Sequence, residues 1–132
     1  MKELEVVAAI IEYNHKILCM QRGVTKYSYT SFKYEFPGGK IESGESREEA
    51  LSRELREELE MDVIVNPEDY FDKIHYVYPD FSINLYFFKV AVNNPRFVMK
   101  EHADFKWLLS KDLLSVEWAS ADKDIIEKLI NG

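Results

Sequence analysis

Glu54, Glu57 and Glu58 lie three and four residues apart in a stretch with helical apolar spacing. At about 100° per residue with Leu51 at zero, Leu55 and Leu59 fall near +40° and +80°, and Glu58, Glu54 and Glu57 near −20°, −60° and −120°. The three carboxylates therefore share one arc beside an apolar stripe, close together and partly shielded. A solvated acidic face would read much the same way, because like charges at this spacing cost only about 0.2–0.5 kcal/mol per pair. Two features favour chemistry. Arg47, Arg53 and Arg56 share the helix, yet none is expected to separate the acids as an i+4 partner. Immediately upstream, Gly38-Gly39-Lys40-Ile41-Glu42-Ser43-Gly44-Glu45 is punctuated by glycine, whose backbone can approach a ligand closely. Clustered carboxylates beside such a loop suit a hard divalent cation, since Mg²⁺ takes oxygen ligands and bridges protein acids to substrate phosphates. A bound cation would turn an acidic pocket into a phosphate site.

The elements that must position these acids are legible too. Ser46-x-x-Glu49 is a capping box and starts the helix; Ala50, Leu51, Leu55 and Leu59 give it one apolar face. Leu4 to Glu12 and Lys16 to Gln21 read as strands around the turn Tyr13-Asn14-His15, followed by a loop from Arg22 to Lys33. Tyr34-Glu35-Phe36 reads as a short strand halted by Pro37-Gly38-Gly39. Further strands are expected at Val63 to Val65, Lys73 to Tyr78, Ile83 to Val92 and Phe105 to Leu108, and a last helix over Ser120 to Ile130. Helices that separate groups of strands define a mixed α/β domain.

The chain has 132 residues, enough for one domain, with 46% hydrophobic residues and only five Gly and four Pro, which excludes disordered and collagen-like classes. Net charge is −7 and the pI is about 5.0, with no Lys/Arg run, so binding to a nucleic acid polymer is not expected. The single Cys19 cannot form an internal disulfide, which points to a reducing, cytoplasmic setting. The apolar run Val6 to Ile11 is too short for a membrane span or a signal core and is expected to fold with the rest.

Gly39-x5-Glu45-x7-Arg53-Glu54-Leu55-x-Glu57-Glu58 resembles the Nudix box, G-x5-E-x7-R-E-U-x-E-E-x-G-U with U a bulky aliphatic residue. Every fixed position matches except the last glycine, where Glu60 stands. A glycine there suits a left-handed helix terminus, so Glu60 bears on the shape of the helix exit and not on the acids before it. With Tyr34-Glu35-Phe36-Pro37-Gly38, the resemblance extends over nearly the whole chain and is closest to the MutT-like members of the family. It implies one domain over 1–132, an α/β/α sandwich with a mixed sheet and the Nudix loop–helix motif.

The resemblance also implies roles. Glu54, Glu57 and Glu58 would bind catalytic Mg²⁺, with Mn²⁺ as a substitute, and Gly39 would add its carbonyl. Arg53 and Glu45 would form a supporting ion pair. Lys40 and Arg22 match residues beside the substrate phosphates, although both also read as solvated surface cations. Glu101 resembles an acid on a loop that reaches the metal centre and binds metal or serves as base; an exposed loop acid is the alternative. His102 reads as a local hydrogen-bonding residue, because Mg²⁺ prefers oxygen. Tyr78 aligns with an aromatic near the nucleobase, where stacking is worth about 1–3 kcal/mol and is base-tolerant. Asp122 falls where the base edge is read, or is simply a charge at a helix start. It suits a base presenting N–H donors, such as cytosine, or a purine if protonated. The implied reaction is Mg²⁺-dependent hydrolysis of a nucleoside triphosphate, standard, oxidised or otherwise modified, to monophosphate and pyrophosphate, by a monomer or homodimer away from membranes. Hydrolysis of another diphosphate such as ADP-ribose, or nucleotide binding without turnover, are the other readings.

Overall fold

The continuous apolar run Val6 to Ile11 places side chains on both faces of its strand, which requires cover on both sides. The computed structural model, which describes residues 1–132, puts that run at the centre of a seven-stranded mixed sheet. The strands are β1 (Lys2–Tyr13), β2 (Lys16–Gln21), β3 (Tyr34–Glu35), β4 (Gly38–Lys40), β5 (Tyr70–Val77), β6 (Phe81–Ala91) and β7 (Asp104–Leu109); the helices are α1 (Arg47–Leu59) and α2 (Lys123–Asn131). The order is β3-β2-β1-β6-β5, with β4 on β1 and β7 on β2. β1 and β6 run parallel over the register Lys2↔Phe81 to Glu12↔Ala91, while β1 meets β2 and β4 antiparallel. In the β1–β2 hairpin Asn14 and His15 have φ of 52° and 66°, the signature of a turn whose twist matches the flanking strands.

Alternate residues of the central strands feed two cores. Val7, Ala9 and Ile11 pack with Leu18, Met20 and the α1 residues Ala50, Leu51, Leu55 and Leu59. Ala8 and Ile10 pack with Ile17, Cys19 and the α2 residues Ile125, Ile126 and Leu129. The sheet thus lies between α1 and α2, an α/β/α sandwich. No helix is long and apolar enough to cross a membrane. Burial pushes the Cys19 thiol up to about 12, which leaves it unreactive.

Both ends of α1 are built locally. Ser46 Oγ accepts from the Glu49 N–H at 3.0 Å and Glu49 Oε1 accepts from the Ser46 N–H at 2.9 Å, a reciprocal cap worth about 1 kcal/mol. At the other end the Glu60 N–H bonds to the Arg56 carbonyl and the Met61 N–H to the Leu55 carbonyl, with Glu60 left-handed at φ 52°, ψ 36°. The terminus that glycine favours is therefore kept by a glutamate, at about 1–2 kcal/mol.

Four sequence expectations are corrected. The strand at Tyr34 does stop before Pro37, but Gly38 to Lys40 is not loop: it forms β4, where a Cβ on Gly38 would collide with the Val7 carbonyl, and only glycine permits that approach. Val63 to Val65 is not a strand: Val65 is buried against the α1 core, its N–H bonded to Ser52 Oγ at 3.1 Å, while Ile64 is 82% exposed and no strand lies alongside. β5 starts at Tyr70, three residues earlier than expected, after the turn Pro67–Asp69. The last helix begins at Lys123, the preceding Ser120–Asp122 being a tighter 3₁₀ turn.

Candidate active site

β4 ends at Lys40, the loop 41–46 turns, and α1 sets off beneath it, so the sequence Gly39 to Glu58 folds back on itself around one residue. Arg53 donates from Nε to Glu45 Oε2 at 2.7 Å and from Nη2 to Glu45 Oε1 at 3.0 Å. Its Nη2 also reaches the Lys40 carbonyl at 3.1 Å, and its Nη1 reaches Glu54 Oε1 at 2.9 Å and Glu57 Oε2 at 3.1 Å. The two-pronged pair holds Glu45 below the usual carboxylate range and Arg53 above its ordinary value. Arg53 and Glu57 do form an i,i+4 pair, contrary to the expectation that no arginine would partner the acids in that register.

The three helix acids differ in environment. Glu54 is mostly buried, and burial raises it against the opposing pull of Arg53. A Cβ on Gly39 would overlap its carboxylate, so any larger residue there would push the Glu54 side chain aside. Glu58 is pushed up to about 9, first by burial and then by Glu101 and Glu54, and its Oε2 is buried with no hydrogen-bond partner. Glu57 is 60% exposed. No three Asp, Glu, His or Cys side chains converge tightly enough to hold an ion in this arrangement, because Arg53 draws Glu54 and Glu57 to itself. The donor set nevertheless suits a hard cation: crowded carboxylates, a glycine edge, and an orphaned carboxyl oxygen that a positive charge would satisfy.

A cavity of about 440 Å³ opens beside this cluster, within the range of small-molecule sites. Glu58, Glu101, Gly39, Lys40, Arg22, Tyr78 and Asp122 all line it. Glu54 and Glu57 stand outside its lining, as do Glu45 and Arg53. Lys40 is exposed and Arg22 lies 3.6 Å from Glu35. Asp122 is only 4% exposed; its side chain makes no capping bond, and burial and then Glu35 raise it well above the usual carboxylate range against the opposing pull of Arg22. Tyr78 is held on three sides: Tyr29 stacks on it at 5.5 Å, Phe81 packs at 4.9 Å, and its hydroxyl accepts from the Ala121 N–H at 3.0 Å, one residue before Asp122. Its direct effect is to fix the segment that carries Asp122.

Two further titratable residues line the cavity that sequence reasoning had not placed there, Glu35 and His102. His102 Nε2 lies 2.9 Å from Glu35 Oε2, a contact between residues 67 apart, so His102 is not the local hydrogen-bonder expected. The available signal was an acid between two aromatics in a two-residue strand, but nothing in one sequence pairs it with a loop so distant.

A mixed sheet between two helices, with a glycine-edged strand leading into an acidic helix, defines a class of fold seen in solved MutT structures. It matches the solution structure of the E. coli ORF135 protein with a TM-score of 0.83 at 34% identity, covering 99% of this chain and 91% of that one. The chain belongs to the NUDIX family: the NUDIX domain profile matches residues 1–129. Among relatives it is 34% identical to the 8-oxo-dGTP diphosphatase of Escherichia coli K12 over 98% of both chains. It is 36% identical to the CTP pyrophosphohydrolase of the same organism, over 96% of this chain and 91% of the relative.

Proposed function

We propose that the chain is a Nudix pyrophosphohydrolase that splits a nucleoside triphosphate into the monophosphate and pyrophosphate, working as a single domain over 1–132 with Mg²⁺ as its physiological metal. The observation that carries this is the shared cavity: Glu58 and Glu101 border the same space as Arg22, Lys40, Tyr78 and Asp122, so one ligand can meet acids, cations and a base-reading group together. The relatives named for 8-oxo-dGTP and CTP support a nucleotide substrate.

Glu54, Glu57 and Glu58 would hold the metal, with the Gly39 carbonyl. When bound, the cation supplies Lewis-acid polarisation of the phosphates and neutralises charge on the leaving group. Arg53, fixed by Glu45, keeps α1 and the loop 41–46 in register so that the acids face one substrate position. Arg22 and Lys40 contribute positive charge to the phosphates. Glu101, or one of the helix acids, accepts the proton of the attacking water. Asp122, whose carboxyl is raised by burial, would in its protonated form offer both an O–H donor and a carbonyl acceptor to a base edge, a pairing that matches the amino and ring nitrogens of cytosine and also the donor and acceptor groups of an oxidised guanine.

The test is a substrate panel. Pyrophosphate release with Mg²⁺ is compared as kcat/KM for 8-oxo-dGTP, dCTP, CTP, 5-methyl-dCTP and ADP-ribose. One of the triphosphates is expected to lead; turnover of ADP-ribose alone would overturn the reading. Attack is placed at the β-phosphorus, so oxygen-18 from water belongs in pyrophosphate, and its appearance in the monophosphate would reverse that assignment.

A further inference from the structure

Residues 92–103 join β6 to β7 without helix or strand. The backbone of this connection is pinned at two points near Glu101: the Val98 N–H bonds to the Leu59 carbonyl at 2.9 Å, and the Ala103 N–H to the Gln21 carbonyl at 2.8 Å. Between those pins, residues 99–102 make no backbone hydrogen bond at all. The position of Glu101 is therefore left to side chains. Lys100 Nζ pairs with Glu60 Oε2 at 2.9 Å, and His102 Nε2 pairs with Glu35 Oε2 at 2.9 Å. His102 has a side chain only 5% exposed, its Nδ1 is buried with no partner, and its Nε2 is the nitrogen that faces the Glu35 carboxylate.

We propose that Lys100 and His102, the two chain neighbours of Glu101, are positioning residues that clamp it beside Glu58, anchored respectively on Glu60 and Glu35. The inference rests on the reading of Glu101 as an acid of the reaction. It also gives Glu60 a purpose. This residue stands in a left-handed conformation that glycine adopts without strain, and the glutamate retained there is the one whose carboxylate reaches the loop bearing Glu101. One arm thus ties Glu101 to the end of α1, next to the helix acids; the other ties it to β3 at the wall of the cavity.

The experiment measures steady-state kinetics and thermal melting together. Glu60→Gly removes strain and clamp at once, so Tm should rise by roughly 2–5 °C while kcat falls about 3- to 10-fold with KM little changed. Lys100→Met should lower kcat by a similar factor without the gain in Tm, and the charge exchange Glu60→Lys with Lys100→Glu should restore kcat to within about twofold of the parent. His102→Gln, which keeps a donor for Glu35, should retain more activity than His102→Ala, and because the glutamine variant preserves the bond its kinetics are decisive even where alanine disturbs the fold. Loss of activity in Glu101→Gln alongside full kcat in Glu60→Gly and Lys100→Met overturns the clamp alone. Full kcat in Glu101→Gln overturns the role of Glu101 and the clamp with it.

Discussion

Gly39 lies so close to the Glu54 carboxylate that a single methyl group on its α-carbon would overlap it. The atoms in the way are the end of a side chain, which can swing aside, whereas the backbone of β4 cannot. Gly39→Ala should therefore fold with a Tm near that of the parent but displace Glu54, raising the Mg²⁺ concentration needed for half-maximal rate about tenfold. Metal titration of activity, with melting as the control, checks this; an unchanged metal requirement contradicts the placement.

Arg53 ties Glu45, the Lys40 carbonyl, Glu54 and Glu57 into one network. Lysine has a single point of charge and cannot reproduce the fork, so Arg53→Lys should lower kcat on the order of 10²-fold and also lower Tm, because loop and helix lose their common brace. Kinetics and melting of that variant decide it. Retained kcat would mean that loop and helix are set by backbone contacts instead.

Stability of the metal-free protein should depend on pH in an unusual direction. Glu58 is pushed up from an ordinary 4.5 to about 9, by burial and then by Glu101 and Glu54. Across that window the folded chain keeps a proton that the unfolded chain has released, so stability falls as pH rises. Glu58→Gln removes the dependence: at pH 8 its Tm should exceed that of the parent by roughly 5 °C, with activity lost. Thermal melts from pH 5 to pH 9 measure this, and parallel curves for the two proteins would contradict it.

How much of this was legible beforehand follows from the range of each interaction. The start of α1 came from Ser46 and Glu49, which act on their own backbone within three residues, and the strand holding Val6 to Ile11 came from its run of Val and Ile. The β1–β2 hairpin was equally local. The parallel pairing of β1 with β6, in contrast, joins residues about 80 apart and leaves no periodic trace. β4 was missed because Gly38 and Gly39 signal a turn by composition, while here they serve close backbone approach and room for a carboxylate. Within the site, the acids and their brace were visible because a motif compresses them into 20 residues of sequence, from Gly39 to Glu58. Glu35 and His102 were not, since their contact exists only after β3 and the loop before β7 have been brought together.

Asp122 supplies a test of base recognition that is separate from the metal. Its protonated form, which burial favours, resembles asparagine in shape and hydrogen-bonding groups. Asp122→Asn should keep kcat/KM for the preferred base within about tenfold, whereas Asp122→Ala should lose about 10²-fold and leave the Mg²⁺ requirement untouched. The substrate panel repeated on both variants reads this directly; equal loss in both would show that the ionised carboxylate is what the base meets.

On the proposed reading the glutamates of α1 would hold a divalent metal against a nucleoside triphosphate. The most direct measurement of this is pyrophosphate release by the purified chain with Mg²⁺, compared with Glu57→Gln, whose exposed side chain makes a folded variant the expectation. Turnover is expected in the parent, with a loss of at least about 10³-fold in kcat in the variant. Pyrophosphate released at the same rate by Glu57→Gln, or by the parent after chelation of all divalent metal, would contradict it.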